Sequence, residues 1–149
     1  MPHLLLATDA DWILDEVQAA LAAPGTTWTV CRSGQAVLAA VLERQPDLAV
    51  LDLQIGNMGA IAVTMQLRNE ESGGRLPHVP VLVLLDRRYD AHLARRAGAE
   101  GWLVKPLDAM RLRTAAAAVL AGATFEGAPG PAAAGDEEPV AGDAEVAAG

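Results

Sequence analysis

A single cysteine, Cys31, leaves this chain without any internal disulfide and points to a reducing compartment. It sits in an apolar run, where a thiol reads as a buried structural side chain rather than a reactive one. Aromatic residues are scarce too: Trp12, Trp28, Trp102, Tyr89 and Phe125 are all there are among 149 residues. Any core must therefore be built mainly from Leu, Val, Ile and Ala. A basic excess is missing everywhere. Residues 1–122 carry 13 acids and 11 bases, a net of −2, while residues 123–149 carry six acids and no base, a net of −6. Neither part has the cationic footprint of a nucleic-acid binder. No apolar run is long enough for a membrane span, and the start, Met1-Pro2-His3, lacks the charged region of a signal peptide. A soluble, cytoplasmic protein with one real core is expected.

Five short apolar runs are present: Leu4–Thr8, Thr27–Cys31, Leu48–Leu53, Val81–Leu85 and Gly101–Val104. Most do not alternate, which marks strands buried on both faces of a parallel sheet. Thr27–Cys31 alternates more, as a strand nearer an edge would. Helical stretches lie between the runs. Ile13, Val17 and Leu21 form one stripe, closed by Pro24-Gly25. Val37, Leu38, Val41 and Leu42 mark a second helix, and Ile61, Ala62 and Met65 a third. A fourth, around Tyr89–Ala97, is Arg-rich and ends at Gly98, and a fifth runs from Pro106 to Gly122. This alternation predicts an α/β doubly wound parallel sheet over residues 1–122. Residues 69–80 read as an exposed loop. Residues 123–149, rich in Ala, Gly, Pro, Asp and Glu, read as a disordered acidic tail.

In such sheets, ligands sit beyond the carboxyl ends of the strands. The runs end in Thr8-Asp9, Asp52, Asp86 and Lys105-Pro106. Asp52, between Leu51 and Leu53, is costly to bury without compensation, and Asp9 nearby adds a like charge. A hard cation would resolve the conflict: Mg²⁺ takes one or two carboxylates and keeps several waters. A plain Asp52–Lys105 ion pair is the simpler alternative. Lys105 is the one lysine against ten arginines, which suits a site that wants a compact point charge.

Three segments carry a family resemblance: His3-Leu-Leu-Leu-Ala-Thr-Asp-Ala-Asp, Pro46-Asp-Leu-Ala-Val-Leu-Asp-Leu-Gln-Ile-Gly-Asn-Met-Gly, and Ala97-Gly-Ala-Glu-Gly-Trp-Leu-Val-Lys-Pro-Leu-Asp. In that order they resemble the CheY-like receiver domain of two-component response regulators, over about residues 3–120. The resemblance implies a flavodoxin-like (βα)5 fold with strand order 2-1-3-4-5. It implies Asp52 as phosphoacceptor, with Mg²⁺ held by Asp9, Asp52 and the backbone carbonyl of Gln54, and Lys105 against the phosphoryl oxygens. It implies Trp102 as the aromatic switch residue and a cis peptide before Pro106. The departures are specific. Thr8 stands in place of a second acid. Leu85 stands in place of the Thr or Ser of the switch, so no hydroxyl is available there. Asp86 replaces a small residue, Gly56 a common proline and Gly59 a common Asp. The stretch from Leu85 to Lys105 is about two residues shorter than the usual pattern.

The implied function is a stand-alone response regulator in a phosphorelay. A histidine kinase would phosphorylate Asp52, and output would pass through protein contacts, since residues after 122 leave no room for a DNA-binding domain. It would be a signalling module rather than an enzyme. The alternative is a pseudo-receiver: a phosphorylation-independent interaction module, favoured by Thr8 and Leu85. A flavin-binding protein of the same fold lacks support, because no phosphate loop follows the first run. Arg87, Arg88, Arg95 and Arg96 mark either a solvated face or a partner surface. In the family, the face of the fourth helix, fifth strand and fifth helix serves dimers and output proteins. Trp12 reads either as packed or as an exposed contact for a kinase. His3, His78 and His92 share no metal-ligand spacing and read as structural or solvent-facing.

Overall fold

The computed structural model describes residues 2–56 and 58–127. The strands are β1 (His3–Ala7), β2 (Thr27–Cys31), β3 (Leu48–Asp52), β4 (Val81–Leu85), β5 (Gly101–Val104) and β6 (Phe125–Gly127). The helices are α1 (Asp11–Leu21), α2 (Val37–Glu43), α3 (Ala60–Ser72), α4 (Ala91–Ala97) and α5 (Ala109–Leu120). Short 3-10 turns, Gly34–Ala36 and Arg88–Asp90, lead into α2 and α4. All strand pairs are parallel, in the order β2-β1-β3-β4-β5-β6. This is the expected doubly wound order with one strand added.

The unbroken apolar runs are explained by two cores, one on each face of the sheet. Leu5, Ala49, Leu51, Val81, Val83 and Leu85 point toward α2, α3 and α4. Leu4, Leu6, Leu48, Val50, Leu82 and Leu84 point toward α1 and α5. Each strand therefore buries both parities, and alternation disappears. Strand β2 lies at the sheet edge and is buried only in part, as its alternation predicts. Cys31 is buried and free, and burial pushes its thiol pKa up.

Three expectations are corrected. The apolar stripe assigned to α3 meets the core only through Ile61, which is partly buried; Ala62 is exposed. Ala60, Val63, Thr64 and Leu67 are buried, while Met65 is 57% exposed. Thr64 satisfies its hydroxyl on the Ala60 carbonyl at 2.8 Å, so a polar residue can sit inside. Helix α3 also extends to Ser72, into the segment read as a loop. Its last turns are held by Arg68–Glu71 and Arg75–Glu70 ion pairs, and it stops at Gly73-Gly74, where Gly74 has φ +76°. Finally, the segment read as tail begins with a strand. Phe125–Gly127 pair with Gly101–Leu103, and the Phe125 N–H donates to the Glu100 carbonyl at 3.1 Å. Residues 128–149, the rest of that segment, lie outside the described residues.

Candidate functional site

Strand order brings the carboxyl ends of β1, β3, β4 and β5 to one rim. Asp52, the last residue of β3, is 2% exposed. Lys105 Nζ donates to Asp52 Oδ1 at 2.7 Å and to Asp86 Oδ1 at 2.9 Å. The Thr8 hydroxyl donates to Asp52 Oδ2 at 2.8 Å and accepts from the Ala10 N–H at 3.1 Å. The Gln54 N–H adds a donor to Asp52 Oδ1 at 3.3 Å. The buried carboxylate is thus offset by one ammonium and two neutral donors. Burial alone would lower the Lys105 pKa, but hydrogen bonds and charge from Asp52 and Asp86 outweigh it and raise the value above the ordinary one.

Asp9 follows Thr8 on the β1–α1 loop. Its Oδ2 accepts from the Gly56 N–H at 3.0 Å. That bond ties the first loop to the loop after β3, which carries Gln54. The second loop is in turn seated on the turn before α2: the Gly34 N–H donates to the Gly56 carbonyl at 3.1 Å. Only glycine fits there, because a side chain at position 34 would collide with the Met58 carbonyl. The Lys105–Pro106 peptide is cis, as expected, and the Lys105 N–H donates to the Leu85 carbonyl at 2.8 Å. Leu85 itself is fully buried, packed in the same cluster as Trp102, Val104 and Ala91. Trp102 is 7% exposed and points inward.

Asp9, Asp52, Asp86, Thr8 and Lys105 therefore share one rim, although Asp9 bonds to Gly56 rather than to the Asp52–Lys105 pair. The sequence had no signal for two of these roles. Asp86 serves as the second partner of Lys105, and Thr8 serves as a donor to Asp52. Each requires knowing which strand ends are neighbours.

Comparison with known proteins decides the family. The family model "Response regulator receiver domain" matches residues 4–117. The chain belongs to the response regulator receiver family. Among its relatives, the transcriptional regulatory protein CseB of Streptomyces avermitilis is 31% identical over 120 residues, covering 79% of this chain and 48% of CseB. The polar-differentiation response regulator DivK of Brucella ovis is 30% identical over 82 residues, covering 54% of this chain and 64% of DivK. The chain spans about half the length of the first curated relatives it matches. Two solved structures share the fold. The chemotaxis response regulator CheY4 of Vibrio cholerae has a TM-score of 0.71 at 22% identity, covering 80% of this chain and 98% of CheY4. A LuxR-family two-component response regulator from Aurantimonas has a TM-score of 0.74 at 23% identity, covering 95% of this chain and 99% of the other.

Receivers generally bind Mg²⁺ in this acidic pocket. Among the described residues of this receiver, no three His, Cys, Asp or Glu side chains gather closely enough to form a metal centre by themselves. The residues that would hold the ion are fewer: the carboxylates of Asp9 and Asp52, which the rim brings near one another, and the Gln54 carbonyl. Two carboxylates with the remaining positions left to water suit Mg²⁺, which is bound that way elsewhere. Among the described residues, no helix is long and apolar enough to cross a membrane.

Proposed function

We propose that this receiver accepts a phosphoryl group on Asp52 from a histidine kinase and signals through protein contacts. The observation that carries it is the contact of Lys105 Nζ, 2.7 Å from a carboxylate that is 2% exposed. In the transfer, an Asp52 carboxylate oxygen forms the bond to phosphorus. The P–N bond of the phosphohistidine breaks, and its electron pair returns to the imidazole nitrogen. Lys105 leaves its bond to Asp52 and meets the new phosphoryl oxygens, keeping Asp86 as its second anchor. Thr8 and the Gln54 N–H hold the carboxylate against rotation. Mg²⁺, bound by Asp9, Asp52 and the Gln54 carbonyl, would supply charge neutralisation on the transferring group. The chain acts as a signalling module and not as a turnover enzyme. Its expected setting is the cytoplasm, without nucleic acid or membrane as partner.

A second reading, a phosphorylation-independent interaction module, is favoured by Leu85. Its side chain is fully buried in the core and carries no hydroxyl to follow a phosphoryl group. One experiment separates the two. The protein is incubated with Mg²⁺ and acetyl phosphate, and Asp52 is examined by mass spectrometry, with Asp52→Asn as control. One phosphoryl group on Asp52 and none on the variant is the expected result. No modification at saturating Mg²⁺, with partner binding unchanged in Asp52→Asn, would sink the phosphoacceptor reading. The stand-alone reading is checked by the size of the native protein in its source cells, which should match the 149-residue chain.

A further inference from the structure

A groove of about 370 Å³ opens on the α4–β5–β6 face, lined by Arg88, Tyr89, His92, Arg95, Trp102 and Glu126. Asp52 is not among its lining residues, and the proposed chemistry uses none of them; Trp102 stands at the position that the resemblance makes the switch residue. Two features ask for an occupant. The Trp102 indole N–H is buried and has no acceptor among the described residues, a costly state for a donor. The rim is cationic: Arg87, Arg88, Arg95 and Arg96 all come from α4 and the turn before it, and all are exposed. Asp90 lies 3.6 Å from Arg87, and Glu126 lies 3.6 Å from Arg95. An exposed Tyr89, with the Arg87 guanidinium 5.0 Å from its ring centre, adds apolar contact area.

The chain supplies its own acidic ligand. Strand β6 places Glu126 on the groove wall and ends at Gly127. The 22 residues that follow carry Asp136, Glu137, Glu138, Asp143 and Glu145 and no base. Eight residues separate Gly127 from Asp136, which gives a reach of up to roughly 30 Å when extended. A tether of that length holds an acidic segment near the groove at roughly millimolar effective concentration. We propose that residues 128–149 dock by their acidic segment on the Arg-rich α4–β5–β6 groove of the same molecule. The docked segment masks that face from other proteins and is displaced by an acidic or better-fitting partner. The proposal stands whether or not Asp52 is phosphorylated.

The test uses the full chain labelled with ¹⁵N, and reads the indole N–H signals of Trp102, Trp12 and Trp28. The variant Asp136→Asn/Glu137→Gln/Glu138→Gln should displace the Trp102 signal and leave the other two in place. About 0.5 M NaCl should displace it the same way in the unmodified chain, since salt screens such contacts. Adding the 128–149 peptide to the variant should return the signal toward its original position. A Trp102 signal indifferent to the substitutions and to salt would overturn the proposal. A signal that instead tracks protein concentration would assign the groove to a second copy, and would overturn it equally.

Discussion

Lys105 is held by two carboxylates, so removing it strands Asp52 in a site with almost no solvent. Lys105→Met should cost roughly 2–4 kcal/mol in urea denaturation at neutral pH. Because the folded-state pKa of Lys105 is raised, its contribution is complete below the unfolded value of 10.5 and is lost as pH rises through the higher folded value. The stability gap between the protein and the variant should therefore narrow only in strongly alkaline solution. His3 behaves in the opposite sense. Its ring nitrogens lie 2.8 Å from the Thr27 and Thr29 hydroxyls. Burial lowers its pKa and nearby Arg44 lowers it further, against the pull of Asp47. The neutral ring is thus favoured by folding. Its contribution is complete above 6.5 and lost as pH falls through the lower folded value. An NMR titration of the His3 ring should show a midpoint below 6.5; a midpoint above it would contradict this placement.

Among the elements, α3 and β6 depart most from what periodicity predicts. In α3 the Ile61–Met65 spacing draws attention away from the buried face, since Ile61 packs only at the core's margin and Met65 is exposed. The buried face is made of Ala60, Val63, Thr64 and Leu67, of which one is polar. Leu67→Ala should cost about 2–4 kcal/mol, while Met65→Ala should stay within about 0.5 kcal/mol, measured by the same denaturation. Strand β6 is only three residues long, too short for any pattern to register. Its Phe125 packs against the core on the α1–α5 side. A chain ending at Gly122 should be less stable than one ending at Gly127, by roughly 1–2 kcal/mol, because it loses that apolar contact. Equal stabilities would mean that β6 contributes nothing.

Across the whole molecule, one side chain links parts that are distant in sequence. Arg68 on α3 donates to the Gly98 carbonyl at 2.9 Å and to the Val79 carbonyl at 2.9 Å. It also donates to Glu71 at 2.8 Å and to Glu100 at 2.7 Å. The same two glutamates receive the Val79 and Val81 N–H groups and flank His78. Helix α3, the entry to β4 and the turn before β5 are thus fixed by one planar fork. Arg68→Lys should lower stability by roughly 1–3 kcal/mol, since an ammonium cannot span the same acceptors. A loss near zero in thermal or urea unfolding would refute that linkage. Five parallel strands and a rim carrying Asp52 and Lys105 followed from the sequence pattern, and the order of those strands from the family resemblance. Continuous apolar runs can arise only where both faces are covered, and polar residues at run ends fall on one rim in any such sheet. The tertiary structure alone decided which partners those polar residues take. Thr8 reaches Asp52 because β1 neighbours β3, and Asp86 reaches Lys105 because β4 neighbours β5. It also decided which face of α3 is buried and that Phe125–Gly127 close the sheet edge. Those outcomes depend on contacts between segments far apart in the chain, which no local pattern encodes.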